Sequence, residues 1–200
     1  HIHDVGRDGI YAPFGEYNLK ITNNLIERTG LRVGGAGIAV MGDANFHGNN
    51  IEVAYNRIDT PQGDGITLHE GKSTPDTHLG TNISVHHNIV NGSLNGDAID
   101  LTTGSFVDVY NNILFDCNNQ LIHTDSSFHD SRIFNNIMWG DAPTGLAYIA
   151  TSNVSFYNNV MMVSGGITPY CLNVISDNYH SFPVENVTVY RNTFFYDDTM

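Results

Sequence analysis

Basic residues are scarce: eight Lys plus Arg stand against 21 Asp plus Glu in 200 residues, a formal net charge of −13. A chain this acidic is poorly suited to gripping phosphates, which excludes nucleic acid as its main partner. Cysteine is nearly absent, and Cys117 and Cys171 match neither a disulfide framework nor CxxC zinc spacing. No apolar run approaches the ~20 residues that span a bilayer, so no membrane span is expected. The opening HIHDVGRDGIYA has no basic segment leading into a hydrophobic stretch. Helix-building runs of Ala, Leu, Glu and Lys are missing too. The apolar share of 40% is nevertheless enough for a core, and with only 14% charged residues wholesale disorder is excluded.

What is abundant is 24 Asn and 20 Gly, set among Val, Ile and Thr, a mixture that favours strands and tight turns. One phrase occurs seven times: ITNNLI, VAYNRI, VHHNIV, VYNNIL, IFNNIM, FYNNVM and VYRNTF. Its fourth residue is always Asn, at Asn24, Asn56, Asn88, Asn112, Asn136, Asn159 and Asn192, separated by 32, 32, 24, 24, 23 and 33 residues. A constant turn with loops of variable length elsewhere explains that spacing. Before each Asn, apolar residues alternate with period 2, as in Ile51 and Val53 or Val107 and Val109. A second apolar column follows the Asn, from Ile26 to Phe194, and then comes another short strand such as GIAV, GITL or AIDL. Three short strands per unit without helices predict an all-β solenoid of about seven coils, each strand pairing with its equivalent one turn away. The Asn column is then an internal ladder. Asn tolerates a left-handed backbone at a bend, and its amide can donate to the carboxamide in the next coil.

These phrases resemble the repeats of right-handed, single-stranded parallel β-helices, the superfamily of pectate lyases, polysaccharide lyases and alginate epimerases. The resemblance covers nearly the whole chain, so residues 1–200 are expected to form one β-helix domain. Both ends read as lacking the polar caps of a solenoid, the expectation for an excerpt of a longer chain. The resemblance implies an extracellular or cell-surface protein acting on a polysaccharide as a lyase, epimerase or hydrolase. The alternative is a non-catalytic surface, adhesin or fibre module.

In GDGITLHEG, Ile66 and Leu68 point inward by alternation, leaving Thr67 and His69 outward with Glu70 at the turn. One coil later Asp100 and Thr102 face out, and NNQLIHTDS supplies His123 and Asp125. His69, Glu70, Asp100, His123 and Asp125 therefore form the candidate catalytic cluster, since imidazole beside carboxylate suits acid and base work. The register of QLIHTDS leaves a second possibility, with Leu121 and His123 facing inward. His69 and Glu70 are also similar to the histidine and acidic neighbour on the active strand of polyuronate epimerases, although the Asp-Pro preceding that histidine is absent here. Thr67, Thr102, Arg57 and Lys72 are the substrate-binding candidates, the last two as cations for a uronate carboxylate. Asp64, Asp97 and Asp100 recur near strand starts and are the candidate metal ligands, with calcium the cation that carboxylates and turn carbonyls suit. The same Gly-Asp pairs also read as plain turns.

Two residues before the ladder Asn stand His86, Tyr110, Phe134, Tyr157 and Tyr190, an aromatic strip suited to sugar stacking, self-association or mutual packing. Asn82, Asn91, Asn153 and Asn186 head glycosylation sequons that also read as turns entering strands. Cys117 and Cys171 lie about two coils apart, beyond disulfide reach, and are expected to be free and largely buried.

Overall fold

The structure, a computed structural model, describes residues 1–13, 17–42, 48–70, 80–142, 145–164, 170–176 and 183–197. After β1 (Ile2–His3), each coil contributes strands in a fixed order. The first three coils hold β2 (Ile10–Ala12), β3 (Lys20–Thr22) and β4 (Leu25–Glu27); β5 (Ile38–Gly42), β6 (Gly48–Ala54) and β7 (Arg57–Asp59); and β8 (Ile66–Glu70), β9 (Gly80–His86) and β10 (Ile89–Asn91). In the next two coils the first two strands fuse, giving β11 (Ile99–Tyr110) with β12 (Ile113–Phe115), then β13 (Ile122–Phe134) with β14 (Ile137–Gly140). The chain returns to three strands in β15 (Ala147–Ile149), β16 (Ser152–Tyr157) and β17 (Val160–Ser164), then β18 (Leu172–Val174), β19 (Thr188–Tyr190) and β20 (Thr193–Asp197). Every pairing is parallel and joins equivalent strands of neighbouring coils, which is the expected β-helix of seven coils.

The core is a set of stacked columns. Ile38, Ile66, Ile99, Ile122 and Ala147 form one, and Val53, Val85, Val109, Ile133 and Phe156 another, all buried. Glycine precedes Ile38 and Ile66 of the first column for steric reasons: a Cβ at Gly65 would stand 2.3 Å from Val90 Cγ1 and 2.5 Å from the Ala98 carbonyl oxygen. Where the predicted alternation meets a polar residue, Ser131, the side chain stays inside. Its hydroxyl donates to the His129 carbonyl at 2.7 Å and accepts the Val107 N–H at 3.1 Å.

The asparagine ladder runs the length of the coils. Each Nδ2 donates to the Oδ1 of the next ladder Asn, from Asn24 to Asn192, at 2.9–3.1 Å. The same Oδ1 also accepts the backbone N–H of the preceding ladder residue, as Asn136 Oδ1 does from Asn112 at 3.0 Å. One detail corrects the expectation. The left-handed residue at this bend is the one before the ladder Asn, namely Asn23, Tyr55, His87, Asn111, Asn135, Asn158 and Arg191, with φ of 54–59°. The ladder Asn is chosen for its amide, and its predecessor turns the chain.

A second left-handed column runs through Asn18, Asn50, Asn82, Phe106, Asp130, Asn153 and Asn186, and a third includes Asp4, Arg28, Thr60 and Asp116. Three of the four sequon asparagines thus occupy the second bend, while Asn91 lies in β10. Both cysteines are free, Cys117 buried and Cys171 only half-buried.

Candidate functional site

The first strand of each coil turns alternate residues outward. Tyr11, Ala39, Thr67, Asp100, His123, Tyr148 and Asn173 are in register on successive strands, forming one column along the coil axis. His123 therefore faces out beside Asp100, which resolves the register of QLIHTDS, and both Leu121 and Ile122 are buried. Just ahead of the strands, Asp8, Asp64 and Asp97 each accept a backbone N–H from the next coil through Oδ1, at 2.8–2.9 Å. These Gly-Asp turns are part of the scaffold as well as the site.

At the centre of the column His123 Nδ1 lies 3.0 Å from Asp100 Oδ1 and 3.5 Å from Asp97 Oδ2. Thr67 Oγ1 donates to the other oxygen of Asp100 at 3.3 Å. Burial works against charging His123, but Asp100 first, then Asp97 and Asp125, outweigh it and push its pKa up to about 9. Asp97 is pushed up to about 8, chiefly by burial, with the charge on His123 opposing. Burial, then the charge on Asp100, pushes Asp64 up to about 6. Asp97, Asp100 and His123 bring one ligand atom each to within 4.8 Å of one another, a three-residue set of the kind that could hold a metal ion. Protonated His123 already supplies a cation there, and a metal would have to displace that proton. Asp64, expected as a third carboxylate ligand, instead joins this group through its charge and its backbone contact with Asp97.

His69 is exposed, and its ring is fixed by Thr102. Thr102 Oγ1 donates to the Leu68 carbonyl at 3.3 Å and lies 2.7 Å from His69 Nδ1. With the hydroxyl proton so used, Nδ1 carries the proton of neutral His69 and Nε2 keeps a lone pair. Thr67 and Thr102 were expected on the open surface; both are buried beneath these contacts and act as positioning groups. Asp125 is buried on the same strand as His123. Glu70, expected at the turn, is the last residue of β8 and pairs with Gly42.

The column borders an open groove of about 280 Å³, lined among others by Arg7, Tyr11, Asp64, Thr67, His69 and Asp100. Arg7 Nε is 3.3 Å from Asp8, and its guanidinium lies 5.8 Å from the Tyr11 ring centre. This cation takes the place expected of Arg57, which sits on β7 in another sheet with its Nε 2.7 Å from Asp59. Lys72 lies outside the described residues. Arg7 and Tyr11 had a signal in the sequence: RDGIYA aligns with GDGITL, placing Asp8 at the position of Asp64 and Tyr11 at that of Thr67.

The aromatic strip is a stack. His86, Tyr110, Phe134, Tyr157 and Tyr190 lie 4.7–5.0 Å apart, ring on ring, within 2–16° of parallel. Their faces are occupied by one another, so the interior rings present edges and not sugar-stacking platforms.

Fold and groove together define a parallel β-helix protein with a polar, acid–base-rich face. A sequence model of the right-handed beta helix region matches residues 2–161, and the chain belongs to that family. No curated protein and no solved structure gives a match.

Proposed function

We propose that this is an extracellular, carbohydrate-active β-helix protein that carries out acid–base chemistry on a polysaccharide, as the resemblance to pectate lyase-like proteins implies. One observation carries the reading: an open groove whose lining includes an imidazole, a carboxyl of raised pKa and a guanidinium. His69 Nε2 is the base, oriented by Thr102. Asp64 is the acid, since a carboxyl pushed up to about 6 keeps its proton well above the usual carboxylate range. Asp100, held by His123 and Thr67, supplies fixed negative charge that keeps the Asp64 proton in place. Arg7 offers the cation for an acidic sugar, and Tyr11 an apolar ring beside it.

The test is incubation with a panel of acidic and neutral polysaccharides, with and without calcium. Unsaturated ends would identify a lyase, saturated reducing ends a hydrolase, and altered sugar stereochemistry an epimerase. Either His69→Ala or Asp64→Asn should lower turnover at least a hundredfold while the melting temperature stays within a few degrees. No product from any glycan would instead favour the non-catalytic rod, associating through the edges of its aromatic stack.

A further inference from the structure

Away from the groove's lining residues, the strand leading into the ladder carries an arrangement that acid–base work on a glycan does not use. His86 and His87 are consecutive, yet their Nδ1 atoms face each other at 2.9 Å. Neighbours on a strand ordinarily point to opposite faces. Here the left-handed bend at His87, φ 54°, swings the second imidazole to the side of the first, with the rings at 85°. The fold does not require histidine at this bend, because Asn stands at the same place in four other coils, at Asn23, Asn111, Asn135 and Asn158.

Both rings are held. His86 is buried, stacked on Tyr110 at 4.7 Å with Tyr55 edge-on at 5.6 Å. His87 is exposed and stacks on Tyr55 at 4.8 Å. Glu52 Oε1 lies 3.3 Å from His86 Nε2, and Glu52 is itself held by Lys20 Nζ at 2.8 Å. Asn111 Nδ2 lies 3.2 Å from His87 Nε2. The tautomers follow from these partners. His86 donates from Nε2 to Glu52 and keeps its Nδ1 lone pair, while His87 accepts from Asn111 at Nε2 and donates from Nδ1 to His86.

We propose that His86 and His87 form a binding site for a borderline divalent transition-metal ion, Zn²⁺ or Cu²⁺, which takes the place of the proton between the two Nδ1 atoms. Two imidazole nitrogens at ~2.05 Å from a tetrahedral ion are roughly 3.3 Å apart, so the pair need open by only a few tenths of an ångström. The exposed ring of His87 can supply that movement. Glu52 on the far nitrogen of His86 gives the carboxylate–histidine–metal arrangement that orients such ligands. On metal binding, the His87 proton moves through solvent from Nδ1 to Nε2, where Asn111, its amide turned over, accepts it through Oδ1. No net proton is lost from the neutral pair. Water completes the coordination, and nitrogen donors select a borderline ion over calcium.

The site is independent of the polysaccharide reading, and its test does not use activity. Titrating Zn²⁺ into the chain by calorimetry should show one equivalent that disappears in His87→Asn, a substitution that installs the residue the fold uses at this bend. Glu52→Gln should weaken that equivalent about tenfold, and His123→Asn, at the Asp97 and Asp100 cluster, should retain it. The Cu²⁺ form should show two-nitrogen coupling in its electron paramagnetic resonance spectrum, absent in His87→Asn. No uptake by the unaltered chain, or uptake of the same stoichiometry and affinity in a folded His87→Asn protein, overturns the site.

Discussion

Asp97 illustrates how a residue can be both scaffold and chemistry. Its Oδ1 closes a turn by accepting the Gln120 N–H, while its other oxygen faces His123. The enclosure that makes those contacts keeps its proton to about pH 8. A carboxyl whose folded pKa lies above its unfolded value of ~3.9 stabilises the fold fully below that value and loses the contribution as pH rises through the folded pKa. Asp64 follows the same course up to about 6, and His123 loses its contribution between an unfolded value of ~6.5 and about 9. All three effects have one sign, while His86, held by burial below its usual value, opposes them below its unfolded pKa of ~6.5, so the melting temperature should fall between pH 6.5 and about pH 9 in scanning calorimetry. Asp97→Asn keeps the turn hydrogen bond without the ionisation and should flatten much of that decline. A wild-type melting temperature that climbs steadily over this range would contradict the assignment.

Single strands show which features the sequence could disclose. Period-2 alternation around a constant Asn was enough to place the inward columns, because parallel coils repeat the same neighbour at each level. It also placed Asp100 beside His123, since β11 and β13 stay in register there. The fusion of strands in these two coils was hidden, because nothing in LTTGSF or TDSSFH distinguishes a straight passage from a loop. Arg7 was less legible: it stands on a turn ahead of β2, and only the alignment of RDGIYA with GDGITL between coils brings it to the groove that His69 also lines. The Gly of the Gly-Ile strands, by contrast, was legible and can be tested. Gly65→Ala forces a methyl group against Val90 and the Ala98 carbonyl oxygen and should cost about 1–3 kcal/mol in urea denaturation. An unchanged midpoint would mean that β8 and its neighbours yield more readily than their packing implies.

Along the whole molecule, the ladder joins seven coils through buried amides, and its interior members carry the most partners. Asn136 accepts two hydrogen bonds from Asn112 and donates to Asn159 and to the Val109 carbonyl. Asn136→Ala should cost about 1–3 kcal/mol for each buried group left unpaired. Half-buried Asn24, donating to Asn56 and its own Thr22, should cost clearly less on substitution by Ala when both variants are unfolded in urea. Equal losses would show that the ladder does not act as a column. Coil length, meanwhile, varies chiefly at one corner, where the first strand of a coil meets the second. Residues 71–79 join β8 to β9 and 175–187 join β18 to β19, whereas β11 and β13 cross that corner without a break. Insertions and deletions there leave the ladder, the left-handed bends and the core columns in place. Changes of loop length at this corner can therefore alter what the face meets while the rod beneath it stays constant.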